Sequence, residues 1–546
     1  MKRFNLLESR DQRFDIIVIG GGLTGTAAAR DAAMRGYRTI LLEKDDFGSG
    51  STCRGAHSMA GNPTFAQRGD LRLQRQLEQE RQIQMHIAPH LYRPLDSVFL
   101  FIKDRKSPGG LKRGPLRALQ EWLLPEGAIG RLLSLPAKQL SFVHPGLKAD
   151  LVECAYMASD SAVDSPVRLC LENLLSANNH GAVAANYAKV LSIQVHNRQV
   201  QGVTLEDRIS GKSLRVNGRC IINAAGPWMD QICRMADDRF ISSHRVLQET
   251  YAVVPQLDPP LEKALWFSST QDGRFIEVLP WLNYLVLGPV IENAGQEVDA
   301  PRSDSRGINA LFSEVRQLLP SLALPEEAVW YARTGLSMAA ADAGRPGIAR
   351  GHPPWVVDHA RVGGPKGLLS AVGARLFNYR RIAQQVVDAA RPHAGTPEKG
   401  GCQSHMEPLY GGNIQSMTTF VEEVTHAARN YALSDSQVRH LVSLYGNKAQ
   451  EIFQWLKNHP DLNDAICPHQ PDIKAQLLYS IDREMAVSVG DVLLRRTLIG
   501  LTGCRGLDCV QTVASTLARH LGWSDARVQA EIANYRDELH RIFWTG

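Results

Sequence analysis

Residues 14–43 constrain this chain more than any other stretch. Phe14-Asp15-Ile16-Ile17-Val18-Ile19 reads as a buried strand, and it runs directly into Gly20-Gly21-Gly22-Leu23-Thr24-Gly25. An alanine-rich helix is expected from about Thr26, and a second apolar strand, Thr39-Ile40-Leu41-Leu42, ends on Glu43. Strand, glycine turn, helix, strand and acid in that order make a dinucleotide-binding βαβ unit. A single glycine pattern would be weak; the ordered context around it is what carries the reading.

Each residue of the unit has a physical task. Gly20 permits the tight turn off the strand, Gly22 lets backbone approach a pyrophosphate, and Gly25 lets helix and strand pack closely. The helix N-terminus, with Leu23 and Thr24, offers unpaired N–H groups and a positive dipole end to phosphate. Glu43 follows Gly20 at the distance where a carboxylate accepts hydrogen bonds from ribose hydroxyls, with Lys44 beside it.

With 546 residues and 44% hydrophobic content, the chain has ample core for two to four domains. Polar residues dominate Met1–Arg13 and no apolar signal core precedes the first strand, so a cytoplasmic location is expected. No apolar run reaches the ~18 residues of a spanning helix. The nine cysteines are scattered rather than spaced as a secreted disulfide framework. A net charge of +5 is compatible with anionic substrates or an anionic membrane surface. No basic stripe interleaved with aromatics supports nucleic-acid binding.

Strands and helices alternate from residue 14 to about 390, the pattern of an α/β domain. We expect a first domain over 1–395, a Pro/Gly-rich linker over 396–414, and a helical domain over 415–546. The last rests on apolar residues at three- and four-residue spacing, such as Val438, Leu441, Val442 and Tyr445. Two later segments look like parts of the cofactor fold. Arg219–Trp228 is a strand ending in small residues, Ala225 and Gly226 among them. Gly367–Arg375 is a strand entering a glycine turn at Gly373 and Ala374. Returning segments this distant favour FAD over a nicotinamide cofactor.

At this point the sequence resembles the FAD-dependent glycerol-3-phosphate dehydrogenases over nearly its whole length. The likeness rests on IIVIGGGLTGTAAARDAAMRGYRTILLEKDDFGSGST at the start, EQERQIQMHIAPH at 78–90, INAAGPW at 222–228, LPWLNYLVLG at 279–288 and GARLFNYRRIA at 373–383. REMAVSVGDVLLRRT at 483–497 and LGWSDARVQAEIANY at 521–535 resemble the family's helical cap. The resemblance implies an α/β fold: an FAD-binding Rossmann-like domain with an inserted antiparallel substrate sheet, plus an all-α C-terminal cap domain. It implies oxidation of a polyol phosphate by hydride transfer to flavin, with electrons passing to quinone or another acceptor. Ser51, Thr52, Trp228, Arg375 and Leu376 join the expected cofactor residues on the same basis. A homodimer is compatible with it.

The substrate side departs from the family pattern. The family's isoleucine-histidine-glycine-glycine-leucine-arginine stretch becomes Cys53–Gly61, keeping only His57, which is read as a general base or flavin neighbour. The family's phosphate-binding arginine has no counterpart at its own place; Arg333 stands a few residues away as a relocated ligand. Arg350 keeps the second active-site arginine, and Arg375 replaces a lysine, preserving charge but not shape. Gly288-Pro289-Val290-Ile291 replaces a threonine-bearing turn. Two other readings therefore stay open: the same flavin acting on a non-phosphorylated hydroxy acid, polyol or amine, and a flavin-binding partner without turnover.

Two further segments were weighed. Cys467, Cys504 and Cys509 are one thiolate short of an iron–sulfur cluster, so they are read as core cysteines and no metal is expected. The basic and apolar stretch 111–124, LKRGPLRALQEWLL, suggests peripheral contact with the cytoplasmic face of a membrane.

Overall fold

The computed structural model describes residues 1–7, 12–59, 71–103, 133–242, 244–294, 298–299, 301, 305–322, 331–340, 355–457 and 459–544. Arg350 and the segment 111–124 lie outside the described residues.

Two sheets organise the chain. The first runs β15 (Trp355–Asp358), β16 (Leu368–Val372), β9 (Lys212–Asn223), β1 (Arg13–Ile19), β2 (Thr39–Leu42), β6 (Val183–Ala185). A hairpin of β7 (Ala188–His196) and β8 (Gln199–Asp207) hangs from β9. β1 lies parallel to both β2 and β9, and β16 parallel to β9, so three distant segments lie side by side within the sheet as expected of an FAD fold. Parallel strands covered on both faces need unbroken apolar character, and Ile16–Ile19 and Ile40–Leu42 are all buried.

Helix α1 (Leu23–Met34) starts three residues earlier than its composition suggested, because the glycine turn is complete at Gly22. Its buried alanines, Ala27, Ala28, Ala29, Ala32 and Ala33, are small enough to let helices Pro166–Asn179 and Tyr379–Ala394 pack beside it.

The second sheet has nine strands: β17 (Phe543–Trp544), β14 (Tyr331–Ala340), β10 (His244–Pro255), β13 (Tyr284–Asn293), β12 (Phe275–Trp281), β11 (Ala264–Ser268), β3 (Arg93–Ile102), β5 (Val152–Ala162), β4 (Leu133–Leu135). It is antiparallel except where β11 meets β3. Alternate residues serve alternate faces. Val254, Leu265, Val278 and Leu287 pack with helix Ser305–Leu318. Tyr251, Trp266, Trp281 and Tyr331 point the other way and share one core with the C-terminal helices.

Residues 396–414 contain no helix or strand, yet they are packed. Arg30 donates to the carbonyls of Ser404 and Glu407, and a Cβ at Gly412 would meet the Ile87 carbonyl oxygen at 2.1 Å. Beyond them the chain is helical up to Ile542, where β17 returns to the substrate sheet.

The C-terminal helices are clamped to the cofactor domain by buried ions. Asp46 accepts from Arg495 Nε at 2.8 Å and from Arg496 Nη1 and Nη2 at 2.6 and 2.9 Å. Arg168 donates to Glu484 at 2.6 Å. Burial alone would raise the pKa of Asp46, but Arg496, Arg495 and Asn186 outweigh it and hold it below the ordinary carboxylate value. Such a group stabilises the fold above its unfolded pKa of about 4. That contribution is lost as pH falls through the lower folded value. Asp46→Ala leaves Arg495 its bonds to Asp491 and Glu538 but leaves buried Arg496 with only the Glu484 carbonyl as hydrogen-bond acceptor among the described residues, so it should cost about 3–5 kcal/mol in urea unfolding. The variant should also lack the part of the acid destabilisation that Asp46 gives the parent.

Candidate active site

A cavity of about 2050 Å³ opens between the two sheets. Its floor is the first glycine turn. Gly20 has φ +109°, and a Cβ there would meet the Ala224 carbonyl oxygen at 2.6 Å. A Cβ at Gly25 would meet the Gly20 carbonyl oxygen at 1.9 Å, so this glycine is needed for helix–strand contact and does not itself reach the cavity. No side chain caps α1, whose N-terminal cap residue is Gly22, so its first N–H groups face the cavity floor with only Thr52 Oγ1 near, 3.2 Å from Leu23 N. An uncapped helix end beneath a glycine floor fits a pyrophosphate.

Every other expected cofactor residue lines this same cavity: Gly20, Gly22, Leu23, Thr24, Glu43, Lys44, Ser51, Thr52, Ala225, Gly226, Trp228, Gly373, Ala374, Arg375 and Leu376. Glu43 ends β2 and accepts from Gly21 N at 2.5 Å and Asp45 N at 2.9 Å. Burial pushes its pKa up to about 7, against the lowering effect of those two bonds. Lys44 sits 4.4 Å from the Trp228 ring centroid, and Asp299 Oδ1 accepts from both Trp228 Nε1 at 2.6 Å and Lys44 at 3.1 Å. These residues fit FAD: a glycine floor and helix end for its pyrophosphate, and a carboxylate for its ribose.

His57 and Arg333 do not line the cavity; their neighbours Ala56, Ser58, Thr334 and Gly335 do. Both are buried, and both lie against Trp281, His57 at 5.1 Å between ring centroids and Arg333 at 5.8 Å from guanidinium to ring. His57 Nδ1 is 2.8 Å from the Val163 carbonyl oxygen, which makes it the protonated nitrogen. Nε2 has no partner among the described residues. Burial first, and then Arg333, hold the His57 pKa well below its ordinary value, so the ring is a neutral base.

Arg333 is the more unusual of the two. None of its three guanidinium nitrogens has a hydrogen-bond partner among the described residues. Burial lowers its pKa, countered only by Tyr331, Cys53 and Tyr251. It stands on β14 one pleat before Gly335, on the same sheet face. At Gly335 itself a Cβ would meet the Arg54 carbonyl oxygen at 3.0 Å. The helical turn Ser51–Arg54 thus crowds Gly335, and the cation on this face is set one pleat back.

Arg375 is paired rather than free. Its Nη1 donates to Glu249 Oε1 at 2.9 Å, which also accepts from Ser337 Oγ at 2.6 Å. Burial works against its charge, but Glu249 outweighs it and raises the Arg375 pKa. Glu249 and Glu277 were missed in the sequence, although both line the cavity. The signal was present: each is a lone carboxylate at an inward position of an apolar strand, in QETYAVVP and FIEVLPW.

The raised pKa of Glu43 has a measurable consequence. A ribose hydroxyl placed here would donate to the ionised carboxylate only, so FAD affinity should rise as pH climbs through about 7. In Glu43→Gln that rise should vanish and affinity should fall roughly tenfold to a hundredfold, read by flavin fluorescence titration of apoprotein.

Comparison with known proteins agrees with this geometry. Residues 15–380 match the model of the FAD dependent oxidoreductase family, and residues 402–528 match the C-terminal domain of alpha-glycerophosphate oxidase. The chain is 27% identical to glycerol-3-phosphate dehydrogenase of Synechocystis sp. over 98% of both chains. It is 28% identical to the mitochondrial glycerol-3-phosphate dehydrogenase of Mesocricetus auratus over 95% of this chain and 72% of that one. In fold it resembles the FAD complex of glycerol-3-phosphate dehydrogenase from Bacillus halodurans, with a TM-score of 0.78 and 23% identity over 98% and 96% of the two chains. With its glycine floor, helix end and buried carboxylate in one cavity and a family match over residues 15–380, the chain belongs to the FAD dependent oxidoreductases.

Proposed function

We propose that this flavoenzyme oxidises glycerol 3-phosphate, or a closely similar polyol phosphate, to the ketone and passes the electrons to a quinone. The observation that carries this reading is Arg333, a buried guanidinium without a partner among the described residues, beside a neutral histidine. A buried cation costs several kcal/mol unless an anion meets it, and a phosphate dianion accepts bidentately from a guanidinium fork. The relatives' names and the C-terminal domain match point to the same substrate class.

In this reading Arg333 binds the phosphate, and Arg350, outside the described residues, is assigned as its second cation. His57 Nε2 accepts the carbinol proton, while the Val163 carbonyl holds Nδ1–H and so fixes the tautomer. Bound at the glycine floor, FAD would supply a hydride acceptor for the carbinol carbon. Trp281 packs His57 and Arg333 together and excludes water from both. Glu249 and Ser337 hold Arg375 at the cavity wall on the side of the last glycine turn.

The same reading divides the chain into a catalytic domain over 1–395, a packed connection over 396–414 and a helical domain over 415–546. A quinone resides in a membrane, so the protein is read as a peripheral visitor to the cytoplasmic face. Among the described residues no helix is long and apolar enough to cross one. Cosedimentation with quinone-bearing vesicles tests that contact, and light scattering tests a homodimer.

The substrate assignment is tested by anaerobic flavin bleaching. Glycerol 3-phosphate should bleach the holoenzyme, where glycerol, lactate and simple amines do not; bleaching by one of those instead would refute the phosphate reading. Arg333→Ala should raise the substrate dissociation constant roughly a hundredfold while FAD stays bound. His57→Asn should slow bleaching about 10²–10⁴-fold with little change in substrate affinity.

A further inference from the structure

Three cysteines that the sequence scatters are brought together in the C-terminal domain. Cys467 Sγ and Cys504 Sγ are 3.6 Å apart, although 37 positions separate them in the chain. Cys509 is in hydrogen-bonding contact with Cys467. Cys467 and Cys509 are buried, while Cys504 is half-buried and gives the group its access to solvent. All nine cysteines are free thiols.

We propose that this trio is an oxidation site, in which a peroxide converts Cys504 and Cys467 to a disulfide. The Cys504 thiolate attacks one peroxide oxygen; the O–O bond breaks, the departing hydroxide takes up the proton that Cys504 released on ionising and leaves as water, and Cys504 becomes a sulfenic acid. The Cys467 sulfur then attacks the Cys504 sulfur. The S–O bond breaks, the departing hydroxide takes the Cys467 proton, and a second water leaves. Two thiols have lost two electrons, and one peroxide has been reduced to two waters.

The geometry assigns the order of events. Only Cys504 meets solvent, so it is the sulfur a small oxidant reaches first. Burial pushes the Cys467 thiol up to about 11, which makes it a poor target for peroxide but leaves it in contact with the sulfur it must attack. Closing 3.6 Å to a bond of about 2.05 Å needs a small movement. The segment carrying Cys504 is a run of turns, with Arg505 at φ +50° and Gly506 at φ +69°, rather than a helix locked by its own ladder. Cys509 stands by as a third sulfur for exchange.

The site is joined to the substrate sheet. Gly503 N–H donates to Tyr284 Oη at 3.2 Å, and Tyr284 packs on Trp281, whose ring carries His57 and Arg333. The oxidation chemistry does not depend on which substrate the enzyme takes, so the two readings stand or fall separately.

The test is thiol mapping of the holoenzyme after graded hydrogen peroxide, with alkylation under denaturing conditions and peptide mass analysis. A Cys467–Cys504 cross-link should appear, two of the nine thiols should become unreactive, and dithiothreitol should restore both. Cys509→Ser should keep the cross-link, and Cys504→Ser should leave all its remaining thiols alkylatable at the same peroxide dose. Overoxidation of Cys504 to sulfinic acid without a cross-link would overturn the proposal. So would a full set of free thiols after peroxide in the parent protein.

Discussion

The loop that follows β2 is the point on which both halves of the molecule depend. Within four residues it carries Glu43, which faces the cavity, and Asp46, which receives Arg495 and Arg496. Cavity wall and domain clamp therefore share one short piece of backbone. The clamp needs two consecutive arginines to converge on one carboxylate. In an α-helix, neighbouring side chains diverge by about 100°. Here Asp491–Arg496 forms a wider i→i+5 turn, closed by Thr497 N–H to the Val492 carbonyl at 2.9 Å. A wider turn brings successive side chains closer in direction.

The substrate side follows a different economy. Asp46 is met by Arg495 and Arg496, which also reach Asp491, Glu538 and the Glu484 carbonyl, and Arg375, Glu249 and Ser337 satisfy one another. Arg333 and His57 do not: their free nitrogens are buried together against one indole. Among the described residues, the Arg333 guanidinium stands without a hydrogen-bond partner next to the cofactor cavity. Free energy favours that arrangement only if an anionic ligand completes it.

Much of this was legible in the sequence, and the limits have physical causes. The first βαβ unit could be read because its glycines, alternation and acid are local. The strands at 219–223 and 368–372 could be read as cofactor pieces because each ends in small residues. The position of Arg375 on the cavity could be inferred, but its pairing with Glu249 could not, since they stand 126 positions apart and no local pattern links them. The three cysteines of the helical domain could be grouped by their spacing, but the direct contact of Cys467 with Cys504 could not be read, because they stand 37 positions apart. His57 was read as a general base or flavin neighbour; the alternation of Ala56, His57 and Ser58 around the cavity wall was not foreseeable without the backbone. Residues 396–414 read as a tether because Pro and Gly are punctuation in sequence, whereas Gly411 and Gly412 are there to let backbones touch.

The helical domain is part of the active site rather than an appendage to it. β17 pairs with β14, setting Phe543 opposite Arg333 and Trp544 opposite Ala332. Phe543 packs on Tyr331 at 4.5 Å between centroids, and Tyr331 donates to the Leu501 carbonyl at 2.7 Å. Residues of the last helix, Arg527, Asn534 and Arg541 among them, line the same cavity as the glycine turn. The strand that carries Arg333 is thus an edge only until the chain returns to cover it. A bare cation on an open edge would be hydrated and weakly selective; covered by a returning strand and its helix, it is dry, and its attraction for a phosphate is correspondingly stronger.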